Sequence, residues 1–497
     1  MKKLLFVLLA IFIAVPLVSG TNFSEKTKEF TLDNGLKFFV YERHQIPTFA
    51  GMLMVKVGSV DERKGETGMA HFFEHMAFKG TTVIGTRNYE KEKPLLDEMD
   101  KIGDKLAGEY LKGTHADINA VQLYREQLVK LQEEALQYVI KDEIDKIYAE
   151  NGGEFLNAGT GNDTTTYFVM LPSNRLELWF LIESERFKNP VLREFYSERD
   201  VIAEERRMYE DNDPEGYLSE EFYNIAFLVH PYRHSVVGYM EDIQSYTKEK
   251  AVNFYKTFYT PNNMMAAIIG DVSFDEVKEL AEKYFSDMPT GSEPPHPVFI
   301  EPVQKGERKV KVKFDAEPSI LIGYHMPPYT ERDNIVMEAI GIVLAAGNSS
   351  RLVRDLVTNK KLAISISANE NDPGARYESL FTISGLPRFP NTPEDLEEAV
   401  NMHLEKLKTE PVPKKELMKI INQAEASLYR GMTSNIYLGW RILRGALLFN
   451  DIDAEFKRVE LMKTITPEEI MAVANKIFVE SNRTVGILVK KEKEAEQ

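Results

Sequence analysis

A stretch rich in proline and glutamate, residues 292–302, divides this chain of 497 residues into two blocks. Such a composition is typical of an exposed linker. Residues 250–272 and residues 468–489, near the ends of the two blocks, both read as a helix, a polar segment with Asn, and an apolar strand. Two related lobes are the economical interpretation of this weak repeat. We therefore predict one lobe over residues 25–290 and a second over residues 303–490.

Short patterns within the first block indicate both strands and helices. Residues 30–41 read as a β-hairpin whose turn is Asn34-Gly35, and the apolar run 50–57 reads as another strand. Leu, Ile and Val recur at helical spacing through the charged segment 89–150. The sequence therefore predicts an α+β fold with a helical insertion at about 89–150.

The first 20 residues have the composition of an export signal. Lys2 and Lys3 precede an apolar run over residues 4–18, which ends in Ser19 and Gly20. The run is shorter than the roughly 20 residues that span a bilayer. We expect residues 1–20 to be a cleaved signal peptide, with an uncleaved anchor as the alternative, and the mature chain to be periplasmic or secreted without stable membrane insertion.

Charge and cysteine content exclude several functions. The chain carries 78 acidic and 61 basic residues, a formal charge of −17, which disfavours nucleic acid and anionic lipid as partners. It has no cysteine, so disulfides, thiol catalysis and zinc–thiolate sites are excluded. No phosphate-binding G-x-x-x-x-G-K-[ST] loop occurs, which argues against an ATPase. Any metal must be held by His, Asp or Glu.

The sequence His71-Phe72-Phe73-Glu74-His75 places two imidazoles four residues apart. In a helix over residues 68–78 both side chains share one face and can reach one metal ion. Met69, Phe72, Phe73 and Met76 form a separate apolar stripe, so packing does not require the histidines. Solvated histidines or satisfied core histidines are the alternative, but this spacing on an amphipathic helix favours a metal site with Glu74 beside it. Ligands without sulfur favour zinc, with manganese or cobalt as alternatives.

A catalytic zinc needs a third protein ligand and an open position. The acidic segment 197–211 reads as a helix, in which Glu205 and Glu198 lie seven residues apart on one face. The helical neighbours of Glu205 are Val201, Ile202, Met208 and Tyr209, so we expect it to point toward the buried side. A carboxylate on an apolar face needs a partner such as a metal or a metal-bound histidine. Glu205 is therefore our candidate third ligand and Glu198 a candidate support for the site, while Glu204 has charged neighbours and faces solvent.

The motif and its context, GMAHFFEHMAFKGT, resemble the pitrilysin, insulinase and mitochondrial-processing-peptidase family of zinc metallopeptidases, peptidase family M16. The resemblance covers most of the chain. It implies that His71, His75 and Glu205 bind one zinc ion, that Glu198 supports the site, and that Glu74 is the general base. Asn157 and Ala158 resemble the edge strand that binds substrate, a role we expect for both.

The resemblance also implies an architecture and partners. Each lobe would be a mixed, mainly antiparallel sheet flanked by helices, and the pair would form half of a clamshell that encloses a peptide chamber. A homodimer, or a heterodimer with a second M16 subunit, would complete it. Two features depart from the family: 129 residues separate His75 from Glu205, more than is usual, and Arg376-Tyr377 lacks the spacing of the family's substrate-holding arginine–tyrosine pair. A partner subunit could supply that pair.

These features predict a zinc-dependent endopeptidase that hydrolyses peptides or unfolded segments. The alternative is a non-catalytic or partner-dependent subunit, or a peptide-binding protein, of the same fold. The intact motif favours the enzyme, because a binding protein has no need of Glu74, whereas the missing arginine–tyrosine pair favours a heteromer.

Overall fold

A computed structural model describes residues 23–295 and 299–491. The predicted signal peptide, residues 1–20, lies outside the described residues. Six strands form a first sheet: β1 (Thr27–Thr31), β2 (Lys37–Glu42), β3 (Thr48–Val55), β4 (Glu154–Thr160), β5 (Thr165–Pro172) and β6 (Met264–Gly270). Their order is β1-β2-β6-β3-β5-β4, and within it β2 and β6 are parallel while the other neighbours are antiparallel.

Five strands form a second sheet: β7 (Arg308–Phe314), β8 (Ser319–Met326), β9 (Ala363–Asp372), β10 (Ser379–Pro387) and β11 (Arg483–Lys490). Their order is β7-β11-β8-β10-β9, with β7 and β11 parallel and the other neighbours antiparallel. Apart from β1, the second sheet repeats the order and directions of the first. The two lobes therefore share one topology, and the predicted repeat falls on the equivalent strands β6 and β11.

Helices cover the sheets of both lobes. Those of the first lobe are α1 (Phe23–Lys26), α2 (Met69–Met76), α3 (Tyr89–Tyr110), α4 (Ile118–Leu136), α5 (Glu143–Glu150), α6 (Leu176–Lys188), α7 (Phe195–Arg206), α8 (Pro214–Ala226), α9 (Met240–Gln244), α10 (Lys248–Phe258) and α11 (Phe274–Phe285). Those of the second are α12 (Arg332–Ala345), α13 (Pro393–Thr409), α14 (Lys414–Gly431), α15 (Asn435–Phe449), α16 (Ala454–Met462) and α17 (Pro467–Ile477). The predicted α+β fold of two related lobes is confirmed.

The hairpin and the helical segment predicted in the first lobe are both present. β1 and β2 pair around a turn at Asn34-Gly35, where Gly35 has a φ of 95°. Helices α3, α4 and α5 occupy the segment 89–150. A buried salt bridge between Glu92 of α3 and Arg193 fixes the segment beside the start of α7, since their side chains are 0% and 1% exposed.

Each lobe contributes a helix to the other lobe's sheet. In the first sheet, β3 and β6 pack against α15 of the second lobe, where a Cβ at Gly439 would lie 2.5 Å from Sδ of Met52. In the second sheet, β7 and β11 pack against α8 of the first lobe, and a Cβ at Gly323 of β8 would lie 2.6 Å from Cζ of Phe222 on α8. This exchange buries apolar residues of both lobes in two shared cores and holds the lobes together.

Candidate metal centre

Helix α2 carries the motif and is fixed at its start. Gly68 precedes it with a φ of 84°, and a Cβ there would lie 2.1 Å from the carbonyl oxygen of Val237. Only glycine fits this left-handed position without strain. The buried carboxylate of Glu62 accepts hydrogen bonds from the backbone nitrogens of Gly68 and Ala70 at 2.7 and 2.8 Å, which satisfies N–H groups at the helix start.

The apolar stripe of α2 is buried and its polar face lies in a cleft, as the sequence predicts. Met69, Phe72, Phe73 and Met76 are at most 1% exposed. The helix is therefore oriented by its apolar side chains, while His71, Glu74 and His75 are half-buried on the opposite face. Packing energy, rather than the histidines, holds the helix in place.

His71, His75 and Glu205 come together in this cleft. Oε2 of Glu205, on α7, lies 3.9 Å from Nε2 of His71 and 3.8 Å from Nε2 of His75. One ligand atom from each residue lies within 4.8 Å of the others. Zinc bound at about 2.0–2.1 Å would bring tetrahedral donors to about 3.4 Å from one another, so small movements suffice to form the site.

The imidazole of His71 has the protonation that zinc requires. Burial, with a smaller contribution from the charge of His75, lowers the pKa of His71 to about 4. Its imidazole is therefore neutral at neutral pH and free to bind a metal. Burial alone would lower the pKa of His75, but its hydrogen bond to Glu198 and the charge of Glu205 raise it, so zinc has to compete with a proton for that ring. Two imidazoles and one carboxylate with no sulfur match the ligands of a catalytic zinc site. The residues present thus fit zinc.

Glu198 holds the second histidine in place. Its Oε1 lies 2.8 Å from Nδ1 of His75, and its Oε2 lies 2.6 Å from Nζ of Lys79. Burial alone would raise the pKa of Glu198, but hydrogen bonds from His75 and Lys79 bring it below its usual value. Sequence analysis missed Lys79, although it stands four residues after His75 and so follows the spacing of the motif.

Glu74 lies beside the three candidate ligands without being one of them. Burial raises the pKa of its carboxyl, and hydrogen bonds from Thr160, at the end of β4, oppose that rise. The sequence places Thr160 in the same edge strand as Asn157 and Ala158 but gives no sign that it contacts Glu74, because the register of that strand could not be read from the sequence. The carboxylate of Glu74 is thus held at the cleft next to an edge strand.

The prediction that Glu205 points toward a buried face is wrong in one respect: its helical neighbours Val201, Met208 and Tyr209 are 45%, 57% and 61% exposed. The end of α7 lies at the open cleft, and residues 207–211 continue it as a π-helical turn. Glu205 faces the histidines across this cleft. By contrast, Ile202 beside Glu198 is buried, as expected.

β4 is the edge strand of the first sheet and packs against α2. Asn157 is exposed and Ala158 half-buried. The side chain of Asn157 accepts a hydrogen bond from the backbone nitrogen of Ala158 at 2.9 Å. The outer edge of β4 therefore pairs with no other strand of the described residues, and the N–H of Ala158 is engaged by the side chain of Asn157.

Arg376 lies at the contact between the lobes. Its Nη1 is 2.8 Å from Oδ2 of Asp61, and the two side chains are 6% and 1% exposed. The backbone nitrogens of Ala375 and Arg376 donate to Asp163 at 2.7 and 3.2 Å. Arg376 is thus engaged within the chain by Asp61, which immediately precedes the Glu62 that fixes the start of α2, and is not presented to a substrate.

Two family models match the chain. The model described as Insulinase (Peptidase family M16) matches residues 39–109, which include the motif. The model described as Peptidase M16 inactive domain matches residues 245–424. Together they span about half of the chain, and the second reaches from the end of the first lobe into the second lobe.

Relatives match over nearly the whole chain. A zinc protease named PqqE from Helicobacter pylori is 28% identical over 471 residues, 93% of each chain. An uncharacterized zinc protease, YmxG, from Bacillus subtilis is 20% identical over 91% of this chain and 96% of its own.

Solved structures share the fold. The crystal structure of a protease from Helicobacter pylori superposes with a TM-score of 0.77 at 26% identity and covers 93% of this chain and 99% of its own. The periplasmic protease PqqL from Escherichia coli gives 0.69 at 18% identity over 94% of this chain and 48% of its own. With the motif, the duplicated topology and these matches together, the chain belongs to peptidase family M16.

Proposed function

We propose that the protein is a zinc-dependent endopeptidase whose zinc is held by His71, His75 and Glu205. The observation that carries the proposal is the convergence of these three side chains beside Glu74 in an open cleft. The names of the relatives as zinc proteases support the same metal and reaction class.

The reaction is peptide-bond hydrolysis. When bound, zinc supplies a Lewis acid that acidifies water and polarises a carbonyl group. The carboxylate of Glu74 accepts a proton from the attacking water and transfers it to the nitrogen of the departing amine, so that one peptide bond and one water become a carboxylic acid and an amine. Glu198 keeps Nδ1 of His75 engaged, which leaves Nε2 of that ring directed at the metal position.

An extended substrate adds to the free edge of β4. Asn157 releases the N–H of Ala158, and the substrate backbone pairs with the strand. Strand addition uses hydrogen bonds to the substrate backbone rather than to its side chains, and it requires an extended chain. Short or unfolded peptides are therefore the substrate class. Asn157 and Ala158 are thus proposed substrate-binding residues.

The proposed assembly pairs this chain with a second M16 subunit, identical or different. The buried position of Arg376 supports a heteromer, because this residue cannot hold substrate while it is bound to Asp61. One relative is named as the beta subunit of the mitochondrial-processing peptidase of Neurospora crassa, at 26% identity over 54% of this chain. A partner-dependent subunit is accordingly the second candidate function.

We also propose that the mature chain is exported. The composition of residues 1–20 carries this proposal, and one structural relative is named as periplasmic. Among residues 23–295 and 299–491, no helix combines the length and apolar character needed to cross a membrane.

Cleavage of an internally quenched, unstructured peptide by the purified protein tests the function. The proposal predicts cleavage that disappears in Glu74→Gln. If the wild-type chain cleaves only after a second M16 subunit is added, the partner-dependent alternative replaces the self-sufficient enzyme.

A further inference from the structure

A cavity of about 560 Å³ lies in the second lobe between helices α12, α14, α15 and α16. This volume is within the usual range for sites that bind small ligands. Its wall is partly apolar, from Ala424, Leu428 and Val459, and partly charged. The metal centre lies in the other lobe, so the cavity is a separate site.

The duplicated topology places this cavity where the first lobe has its metal cleft. Helix α12 follows β8 in the second lobe as α2 follows β3 in the first. Its residues Glu338 and Ile342 line the cavity and are four positions apart, like His71 and His75. Between Glu338 and Ile342 stands Gly341, where a Cβ would lie 3.5 Å from Oε2 of Glu370. No histidine lines the cavity, so the second lobe keeps the cleft but lacks the metal-binding side chains.

Two of the arginines around the cavity are already neutralised. Arg458 binds Glu338 at 2.7 Å, and Arg441 forms a salt bridge with Glu455. The ring of Tyr329 also lies 3.9 Å from the guanidinium of Arg458. These pairs make the wall rigid but leave it with little net charge.

Two further arginines line the cavity without such pairing. Arg430 and Arg444 make no hydrogen bond or salt bridge through their side chains to any residue within 23–295 and 299–491. The guanidinium of Arg444 instead lies 5.7 and 5.5 Å from the rings of Tyr329 and Trp440, which orient it. Oε1 of Gln423 is buried in the cavity wall without a hydrogen-bond partner.

One carboxyl group, that of Glu370, could compensate these arginines. Burial and the neighbouring charge of Glu338 raise the pKa of Glu370 to about 7. Glu370 is therefore only partly ionised near neutral pH and cannot neutralise both guanidinium groups. The cavity keeps an excess of positive charge in a chain whose formal charge is −17.

We propose that this cavity binds the carboxylate of a peptide chain, through the guanidinium groups of Arg430 and Arg444. Guanidinium groups bind carboxylates through paired, charge-assisted hydrogen bonds. The apolar wall accommodates the adjoining side chain, and Oε1 of Gln423 accepts a backbone N–H. That the ligand is a peptide rests on the proposed peptidase function. A substrate or product end held here would be fixed at a distance from the metal centre.

Binding is measured on the full-length Glu74→Gln protein, in which turnover is removed. Isothermal titration compares a short unstructured peptide that has a free C-terminal carboxylate with the same peptide as its C-terminal amide. We expect the acid to bind at least about tenfold more tightly, the gain of a charge-assisted hydrogen bond. In the additional variant Arg430→Gln/Arg444→Gln this ratio should fall below about twofold.

Arg388→Gln is the matched control, because Arg388 is an exposed arginine of the same lobe outside the cavity, and it should leave the ratio unchanged. Equal binding of acid and amide by the parent protein, or a ratio that survives the double substitution, would overturn the proposal. Displacement of the acid peptide by equimolar inorganic phosphate would assign the cavity to free oxyanions and also overturn it. Because no turnover is measured, these outcomes are independent of whether the wild-type chain cleaves peptides.

Discussion

Oε1 of Glu198 lies 2.8 Å from Nδ1 of His75, while the other oxygen of the same carboxylate lies 2.6 Å from Nζ of Lys79. One buried carboxylate thus fixes both the orientation and the tautomer of a candidate metal ligand and is itself held by a lysine. Such partners of metal ligands tune affinity as well as geometry. The proposed function therefore makes predictions for residues around the zinc as well as for its ligands.

Glu198→Gln should weaken zinc binding while leaving the fold intact. The amide keeps the shape but loses the charge that engages His75 and Lys79, and losses at this position typically cost about 10–100-fold in metal affinity. Competition with a chromogenic chelator measures the zinc dissociation constant. An unchanged constant in Glu198→Gln would contradict the positioning role.

Glu205→Gln and Glu204→Gln form a matched pair on α7. Glu205 faces both histidines, whereas Glu204 is exposed and pairs with Arg207. We expect Glu205→Gln to purify with little zinc and Glu204→Gln with the wild-type amount, as measured by elemental analysis. Equal zinc in the two variants would exclude Glu205 as a ligand.

Glu74→Gln should retain zinc and lose turnover. General acid–base catalysis contributes about 10²–10⁴-fold, so kcat should fall by at least that range when Glu74 transfers the proton. Steady-state kinetics beside elemental analysis give the two readings. Near-normal kcat with bound zinc would show that another group transfers the proton.

Arg376→Met should lower the free energy of unfolding, because it removes a buried salt bridge at the contact between the two lobes. It leaves the buried carboxylate of Asp61 without its arginine partner, and breaking such a pair costs about 3–5 kcal/mol. Urea unfolding measures the change, with Arg388→Met as the exposed control, expected within about 0.5 kcal/mol of wild type. A similar small effect for Arg376→Met would show that the buried pair is not needed to hold the lobes together.

The free energy of unfolding should decrease as the pH falls from about 6.5 to about 4, because His230 has a different pKa in the folded and unfolded states. Burial lowers the pKa of His230 to about 4, and its Nδ1 accepts a hydrogen bond from the backbone nitrogen of Tyr232, which requires the neutral ring. The unfolded chain binds a proton near pH 6.5 and the folded chain only near 4. Between these values the unfolded state therefore binds more protons, and stability decreases as pH falls.

At pH 5 the free energy of unfolding should be about 2 kcal/mol lower than it would be if His230 had the same pKa in the folded and unfolded states. Unfolding by urea at pH 7 and pH 5 should show a smaller loss in His230→Gln than in wild type, while the exposed His115→Gln should match wild type. Equal losses in all three proteins would rule out His230 as the cause.

Helix α2 could be predicted because two periodic patterns coincide there. The apolar stripe fixes which face is buried, and the histidine spacing then fixes what faces the cleft. The mixed, mainly antiparallel sheet of each lobe followed from the resemblance, but its strand order did not. The exposure of Val201 and Met208 could not be predicted, because apolar residues at an open cleft have the same sequence pattern as residues in a core.

Other contacts depend on tertiary structure that local patterns do not contain. Arg376 and Asp61 are 315 positions apart and meet only because the lobes pack together. The charged cavity gathers residues from α12, β9 and three later helices. Its equivalence to the metal cleft of the first lobe depends on the strand order that the two sheets share, which no local pattern contains.

The most direct test is the zinc content of the purified mature protein, measured beside peptide cleavage with and without a chelator. The account predicts about one zinc per chain, cleavage that the chelator abolishes, and recovery of cleavage when zinc is returned. A protein that contains no zinc and binds none when it is supplied would contradict the central claim.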